Sequence, residues 1–456
     1  MGRMASLLDR PAPPGPGASP AAPTGVAARL RLGAAVAAGR LAATASRLAG
    51  RGAGVSIRGR VITRLDPQAL AKLLVGKRTA VVSGTNGKTT TTHLLTAAIR
   101  AGLAADPAPG DRPVSAADRV VTNADGANLD YGLASALSAA PDADIAVLET
   151  DERVVAEVLR VGHPAVLVLL NFSRDQLDRN HEIKRLARDW HAALEAAGTD
   201  APVVVANTDE PLIVWVARAA HRVVWVDTDS TWAEDATLCP ACGAILTRHD
   251  ADRATGHPGT WDCPDCDLTE PEPQIRVLNG TIVDRSGQTY DPDLRVPGRF
   301  NVGNAACALG AAQLFGVDTA TALQGMRTVS APAGRFATAH FGTTTARLLL
   351  AKNPAGWHEA LPLLSTATVV LAIDSVAADG RDVSWLWDVP YEQLAGKTVI
   401  ATGPRAQDLA VRLAYAEVPC TVIPDLAEAL AGHPEPVDVL ATYTPFQRLR
   451  KLGGLA

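Results

Sequence analysis

The chain has 456 residues, a net charge of −5, 47% hydrophobic residues and 20% charged ones. That length suggests roughly three domains, and the composition is ordinary for a soluble globular protein with a sizeable core. The slightly acidic balance offers nothing for nucleic acid to bind, and the uncharged run at 32–39 is far below the ~18 residues a membrane span needs.

Residues 1–24 are rich in Pro, Ala and Gly, read as a disordered tail, and lack the apolar core of a secretory signal. Residues 25–54 read as an alanine-rich helical segment carrying Arg31, Arg40 and Arg47. An exposed helix is the simpler reading there, and a membrane-surface contact is the alternative. From Val55 onward, apolar runs at 80–82, 145–148, 165–170 and 203–206 alternate with helix-length segments. Such alternation predicts an α/β fold with a parallel sheet covered on both faces, and ligands at the carboxyl ends of its strands.

The first strand end carries the main chemical signal, Gly84-Thr85-Asn86-Gly87-Lys88-Thr89-Thr90. A strand, a glycine turn, Lys-Thr and a helix form a phosphate cradle, in which backbone N–H groups and the helix N-terminus face the phosphates. Lys88 would bridge the outer phosphates of ATP, and the Thr89 hydroxyl would sit on Mg²⁺. Glu149, ending the next run, is the natural second Mg²⁺ ligand; a turn-forming carboxylate is the competing reading. Asn171, Asp175 and His181 follow the third run and either line the site or form an ordinary polar loop.

The alternation breaks at 237–269. Cys239-x-x-Cys242 and Cys263-x-x-Cys266, with 20 residues between the pairs, supply four thiolates for a structural Zn²⁺ ribbon. A redox role would need one pair at the start of a helix in a thioredoxin-like unit, which two proline-bearing loops do not provide. Paired thiols of this kind also favour a cytoplasmic location. Cys307 and Cys420 lie in apolar stretches and read as small buried hydrophobes. Asn301 and Asn304 open a helix running to Leu314 and offer amides to an adenine edge or a ribose. Past Arg335, runs at 346–351, 368–373, 398–402, 420–423 and 437–441 predict a smaller Rossmann-like domain. Its polar strand ends are Lys352-Asn353-Pro354 and Asp379-Gly-Arg-Asp382. The expected organisation is therefore a tail (1–24), a helical segment (25–54), a central ATP-binding domain (55–334, with 237–269 inserted) and a C-terminal domain (335–456).

Taken together, the 84–89 loop, Glu149, the 297–304 segment, Gly334-Arg335 and Asn353-Pro354 resemble the Mur ligase family across roughly Val55 to the C-terminus. That resemblance implies that Gly84, Thr85, Asn86, Gly87, Lys88, Thr89, Thr90, Asn301, Asn304, Arg335, Lys352 and Asn353 bind ATP. Several family features are absent: a nucleotide-sugar domain before the loop, a lysine placed for carbamylation (Lys184 comes too soon after Asp175), and an aspartate near Leu349 and Leu350. With the four-cysteine insertion, these departures are similar to the MurT branch. Resemblance to that branch implies ATP-dependent amidation of the D-glutamate α-carboxyl of lipid II by way of an acyl phosphate. It also implies a GatD-like glutaminase partner, action at the inner face of the membrane, and a catalytic role for Asp382 or, second, Asp379. The alternatives are a ligase that adds a whole amino acid, of the folylpolyglutamate or muramyl-peptide type, and an ATP-binding regulatory or scaffold module.

Overall fold

The computed structural model describes residues 25–48, 54–105, 115–123, 126–174, 183–233, 235–250, 259–330, 336–376 and 379–455. The chain forms two compact units: 1–172 with 184–295 and 301–329, and 173–183 with 296–300 and 330–456.

The first unit begins with three helices, α1 (Val26–Leu48), α2 (Val55–Leu65) and α3 (Ala69–Leu74). The strand–helix alternation starts after them. It runs β1 (Arg78–Ser83), α4 (Lys88–Ala105), α5 (Ala116–Arg119), β2 (Val120–Thr122), α6 (Asp130–Ala139), β3 (Ile145–Glu149) and α7 (Val155–Gly162). It continues with β4 (Val166–Leu169), α8 (Ile183–Ala197), β5 (Val203–Asn207), α9 (Pro211–Ala217) and β6 (Val223–Asp227). Every residue of β3, β4 and β5 is buried, the pattern of parallel strands covered on both faces.

A small two-stranded ribbon follows, β7 (Thr247–His249) against β8 (Thr260–Asp262). The chain then returns to the sheet edge through β9 (Ile275–Leu278), β10 (Thr281–Asp284) and β11 (Thr289–Tyr290), and closes the unit with α10 (Phe300–Leu314) and α11 (Thr319–Met326). The sheet order is β11-β10-β9-β6-β5-β4-β1-β3-β2. β1 lies between β3 and β4, so successive crossovers leave it in opposite directions. Crevices open at such a reversal, at the carboxyl ends of the strands. The register Val82↔Glu149 and Ser83↔Leu169 sets the ends of β3 and β4 on either side of the turn leaving β1.

The second unit contains β12 (Phe336–Phe341), β13 (Thr344–Leu350), α12 (Pro354–Ala360), β14 (Thr368–Ala372), β15 (Thr398–Thr402), α13 (Ala406–Tyr415), β16 (Cys420–Val422), β17 (Val437–Ala441) and α14 (Tyr443–Leu452). Its sheet order is β12-β13-β17-β14-β15-β16, parallel except for the β12–β13 hairpin. One face of that sheet is closed by Trp357, which is fully buried and stands 5.7 Å from Trp385 and 5.9 Å from Tyr391. Burial pushes the Tyr391 hydroxyl well above its ordinary range, against the opposing pull of Arg412.

Candidate functional site

The loop leaving β1 needs its glycines. Gly84 (φ +143°) and Gly87 (φ +84°) occupy backbone regions that L side chains rarely adopt. A Cβ at Gly84 would press on Leu170 Cβ at 2.9 Å, and one at Gly87 would collide with Asn304 Oδ1. The loop is then clamped from β4 by Asn171. Its Oδ1 accepts from Asn86 N at 2.8 Å, its Nδ2 donates to Asn86 O at 3.2 Å, and its carbonyl accepts from Thr85 N at 3.0 Å. Asn171 thus positions the loop backbone. Asn304 reaches the loop from the first turn of α10, where its Nδ2 also donates to Asn301 Oδ1 at 2.9 Å.

Lys88 is the first residue of α4 and is buried. Its ammonium donates to the carbonyls of Gly84 and Thr85 and lies 3.2 Å from the Glu152 carboxylate, itself buried. A buried charge requires such compensation. Sequence reasoning had passed over Glu152 as part of a turn, although the acidic run 149–152 was its signal. Glu149, at the end of β3, is 2% exposed. One of its oxygens accepts from Asn128 Nδ2 at 3.0 Å, whereas Oε2 is buried without any hydrogen-bond partner. Asn123 fixes the backbone of the same residue, its Oδ1 accepting from Glu149 N at 2.8 Å and its Nδ2 donating to Glu149 O at 2.8 Å. An orphaned buried carboxylate oxygen beside a phosphate loop suits a hard cation with oxygen ligands.

Gly84 to Thr90, Glu149, Asn301 and Asn304 therefore all belong to the first unit, and Asn171 and Asn304 bind the loop into one site. Asp175, His181 and Arg335 lie outside the described residues.

Beyond β5 the polar strand end does something other than line the loop. The Asp209 carboxylate accepts from Thr228 Oγ1 at 2.7 Å, Thr228 N at 3.2 Å and Ser230 N at 2.8 Å, tying β5 to the segment after β6. Burial, and then Asp227, push its carboxyl up to about 8. Burial likewise raises Glu270 to about 7 and Glu210 well above its ordinary value. The cysteine ribbon sits over this acid cluster. Trp261, at 1% exposed, donates its indole N–H to Thr208 O at 2.9 Å, and Trp261 N donates to a Glu270 oxygen at 3.2 Å.

All four Sγ atoms of Cys239, Cys242, Cys263 and Cys266 lie within 4.8 Å of one another. Cys239–Cys266 are 3.6 Å apart and Cys242–Cys263 are 3.4 Å apart. Four thiolates around Zn²⁺ in a tetrahedron stand about 3.8 Å apart, so the donor set fits a metal of that kind. Against its own desolvation, the Asp265 N–H and the neighbouring sulfurs draw the Cys263 thiol down to about 7. Gly243, at φ +86°, makes the turn after the first pair.

The second unit holds a separate group. Asn353 caps α12, its Oδ1 accepting from Gly356 N at 2.8 Å ahead of Pro354. Lys352, Asn353, Asp379, Asp382, Ser384 and Asp388 line one pocket together with Arg174, which lies 3.3 Å from Asp388. The two candidate aspartates differ sharply. Asp379 is 2% exposed; its Oδ1 accepts from Thr444 N at 2.7 Å, while Oδ2 is buried and unpartnered. Asp382 is exposed, and the Ser384 N–H and hydroxyl hold its carboxyl below the usual range. Sequence reasoning missed Asp374, a buried carboxylate just past β14 whose Oδ2 lies 3.7 Å from the Arg448 guanidinium.

The Mur ligase middle-domain family model matches residues 82–312, and the MurT ligase C-terminal model matches residues 350–446. Over 406 residues the chain is 28% identical to the "Lipid II isoglutaminyl synthase (glutamine-hydrolyzing) subunit MurT" of Staphylococcus aureus (strain N315), covering 84% of this chain and 88% of that one. The subunit of the same name from Streptococcus pneumoniae (strain ATCC BAA-255 / R6) is 28% identical over 434 residues, covering 88% and 92%. Among solved structures, a pseudomurein peptide ligase type C from Methanothermus fervidus superposes with a TM-score of 0.63 at 19% identity, over 86% of this chain and 83% of the other. That likeness speaks for the fold alone.

Proposed function

This chain belongs to the Mur ligase family, and from that premise we propose that it is the ATP-using synthetase subunit of a two-subunit amidating enzyme. It converts the D-glutamate α-carboxyl of the lipid II stem peptide into D-isoglutamine, at the inner face of the membrane. The observation that carries the reading is the MurT-type C-terminal match over 350–446, which spans the Asn353 and Asp379–Asp382 pocket. Similarity to two MurT subunits over most of both chains supports it.

A carboxylate is a poor electrophile, so the reaction needs an activated acyl group. The backbone N–H groups of 84–89 and the start of α4 cradle the ATP phosphates, and Lys88 leaves Glu152 to follow charge onto the outer phosphates. Thr89 and the orphaned Glu149 Oε2 would hold Mg²⁺, which supplies charge neutralisation between the phosphates when bound. One carboxylate oxygen attacks the terminal phosphorus and ADP departs, leaving an acyl phosphate. Ammonia adds to the acyl carbon, and the tetrahedral adduct collapses to the amide. Phosphate leaves with the electron pair of the broken C–O bond, and the proton released from nitrogen passes to a base, for which Asp382 or Asp379 is the candidate. Asn301, Asn304, Lys352, Asn353 and Arg335 complete the nucleotide contacts in this reading. Zinc in the four-cysteine ribbon is structural, because four protein ligands leave no open position.

Neither remaining cysteine suits glutamine hydrolysis. Cys307 is fully buried, with its thiol pushed far up by that burial, and burial raises Cys420 as well. Nitrogen therefore comes from free ammonia or from a separate GatD-like glutaminase.

A heavy-oxygen label in the substrate α-carboxyl tests the acyl phosphate. The label is expected to appear in the released phosphate. Unlabelled phosphate alongside labelled amide would rule that intermediate out. Asp382→Asn and Asp379→Asn are expected to spare nucleotide binding and to depress amide formation by about a hundredfold or more where the residue serves as base. Full amidation by both variants would remove the pocket from the chemistry.

A further inference from the structure

Helices α1 and α2 contribute nothing to either polar site, yet α1 has two unlike sides. α1 packs inward through small residues, with Ala35, Gly39, Ala43 and Ser46 buried. A Cβ at Gly39 would stand 2.7 Å from Ile62 Cγ1, so the two helices meet almost backbone to backbone. α2 in turn lies on α6, where a Cβ at Gly59 would collide with the Tyr131 carbonyl. The hairpin is thus fixed to the same helix whose preceding loop carries Asn128, the partner of Glu149.

The outer side of α1 is different. At 3.6 residues per turn, Val26, Leu30, Leu41 and Leu48 fall on the face opposite Gly39 and Ser46. They are 75%, 68%, 72% and 85% exposed. Arg29, Arg40 and Arg47 run in a row along one flank of that leucine stripe, all of them exposed. α1 and α2 together hold seven arginines and no acidic residue, within a chain whose net charge is −5. Only part of this charge is used internally. Arg40 and Arg58 donate to Ser138 O at the end of α6, and Arg60 lies over the Tyr131 ring.

An apolar stripe flanked by arginines on a helix too polar to span a bilayer is the pattern of an interfacial helix. We propose that α1 is a membrane-surface anchor. Its Val26/Leu30/Leu41/Leu48 face enters the boundary between headgroups and acyl chains of an anionic bilayer, with Arg29 and Arg47 at the lipid phosphates. Charge complementarity selects this occupant. A second copy would bring seven further arginines against the first seven, and nucleic acid has no use for four exposed aliphatic side chains. The inference stands on the hairpin alone and does not rest on the amidation reading, although it brings the chain to the surface that carries a lipid-linked substrate.

Co-sedimentation of the full chain with phosphatidylglycerol/phosphatidylcholine vesicles, against pure phosphatidylcholine vesicles, tests it. Binding to the anionic vesicles is expected, weakening in high salt, with little on the neutral ones. Leu30→Ser/Leu41→Ser/Leu48→Ser should weaken binding by more than about thirtyfold, and Arg29→Gln/Arg47→Gln by about 25-fold. Both variants should keep the wild-type melting temperature, a readout that does not depend on the amidation reading. Three results would each overturn the proposal: no binding of the wild-type chain to anionic vesicles, unchanged binding by both variants, or a lipid-free dimer that the leucine variant dissolves.

Discussion

Glu149 shows how much of the site was open to sequence reasoning at single positions. The carboxylate was expected from its place at a strand end beside the loop, and its Oε2 is buried there without a hydrogen-bond partner. Asn123 and Asn128, which hold it, were invisible, because they follow a three-residue strand too short to leave an apolar run. Glu149→Gln should therefore leave the fold intact and lower magnesium-dependent ATP turnover by about a hundredfold or more, with a raised magnesium requirement. An unchanged magnesium profile would detach Glu149 from the metal. Asp209 predicts a pH effect. Burial, and then Asp227, push its folded carboxyl up to about 8, far above the value of an unfolded aspartate, and burial also raises Glu270 and Glu210. Stability from a raised group is complete below the unfolded value and is lost as pH rises through the folded one. The melting temperature should thus be lowered progressively by these groups from about pH 4 to about pH 8 and level off above that, and Asp209→Asn should flatten the fall. A wild-type profile that rises over this range, or an unchanged slope in the variant, would contradict the assignment.

Among the elements, the runs beginning at 145, 203, 368, 398 and 437 each became a parallel strand, because fully buried strands leave continuous apolar stretches. β12 was not legible. Its sequence Phe-Ala-Thr-Ala-His-Phe has no apolar run, and only pairing with β13 makes it a strand. Val55–Leu65, where the alternation was expected to begin, is instead a second helix, and β1 begins at Arg78. The ribbon was legible from cysteine spacing alone, yet its docking through Trp261 onto Thr208 depends on a contact 53 residues apart in the chain. Cys239→Ser should abolish binding of one equivalent of zinc and lower the melting temperature, since structural zinc sites contribute folding energy directly. Elemental analysis that finds no zinc in the wild-type protein, or a full equivalent in the variant, would contradict the ribbon's proposed role.

At the scale of the whole molecule, each of the two α/β units carries a polar centre at the carboxyl ends of its parallel strands. The first has the parts for handling phosphates: a glycine loop clamped by Asn171, Lys88 balanced by Glu152, and an orphaned carboxylate. The second has buried and exposed aspartates around Asn353, within the region matched by the MurT-type C-terminal model. The most direct test uses the purified chain with ATP, magnesium, a lipid-linked muramyl pentapeptide and ammonium, with mass spectrometry of the stem peptide as the readout. Slow conversion of the D-glutamate α-carboxyl to the carboxamide is expected, with glutamine replacing ammonium only once a glutaminase subunit is added. Incorporation of a whole amino acid, or no ATP-dependent product under either condition, would contradict it.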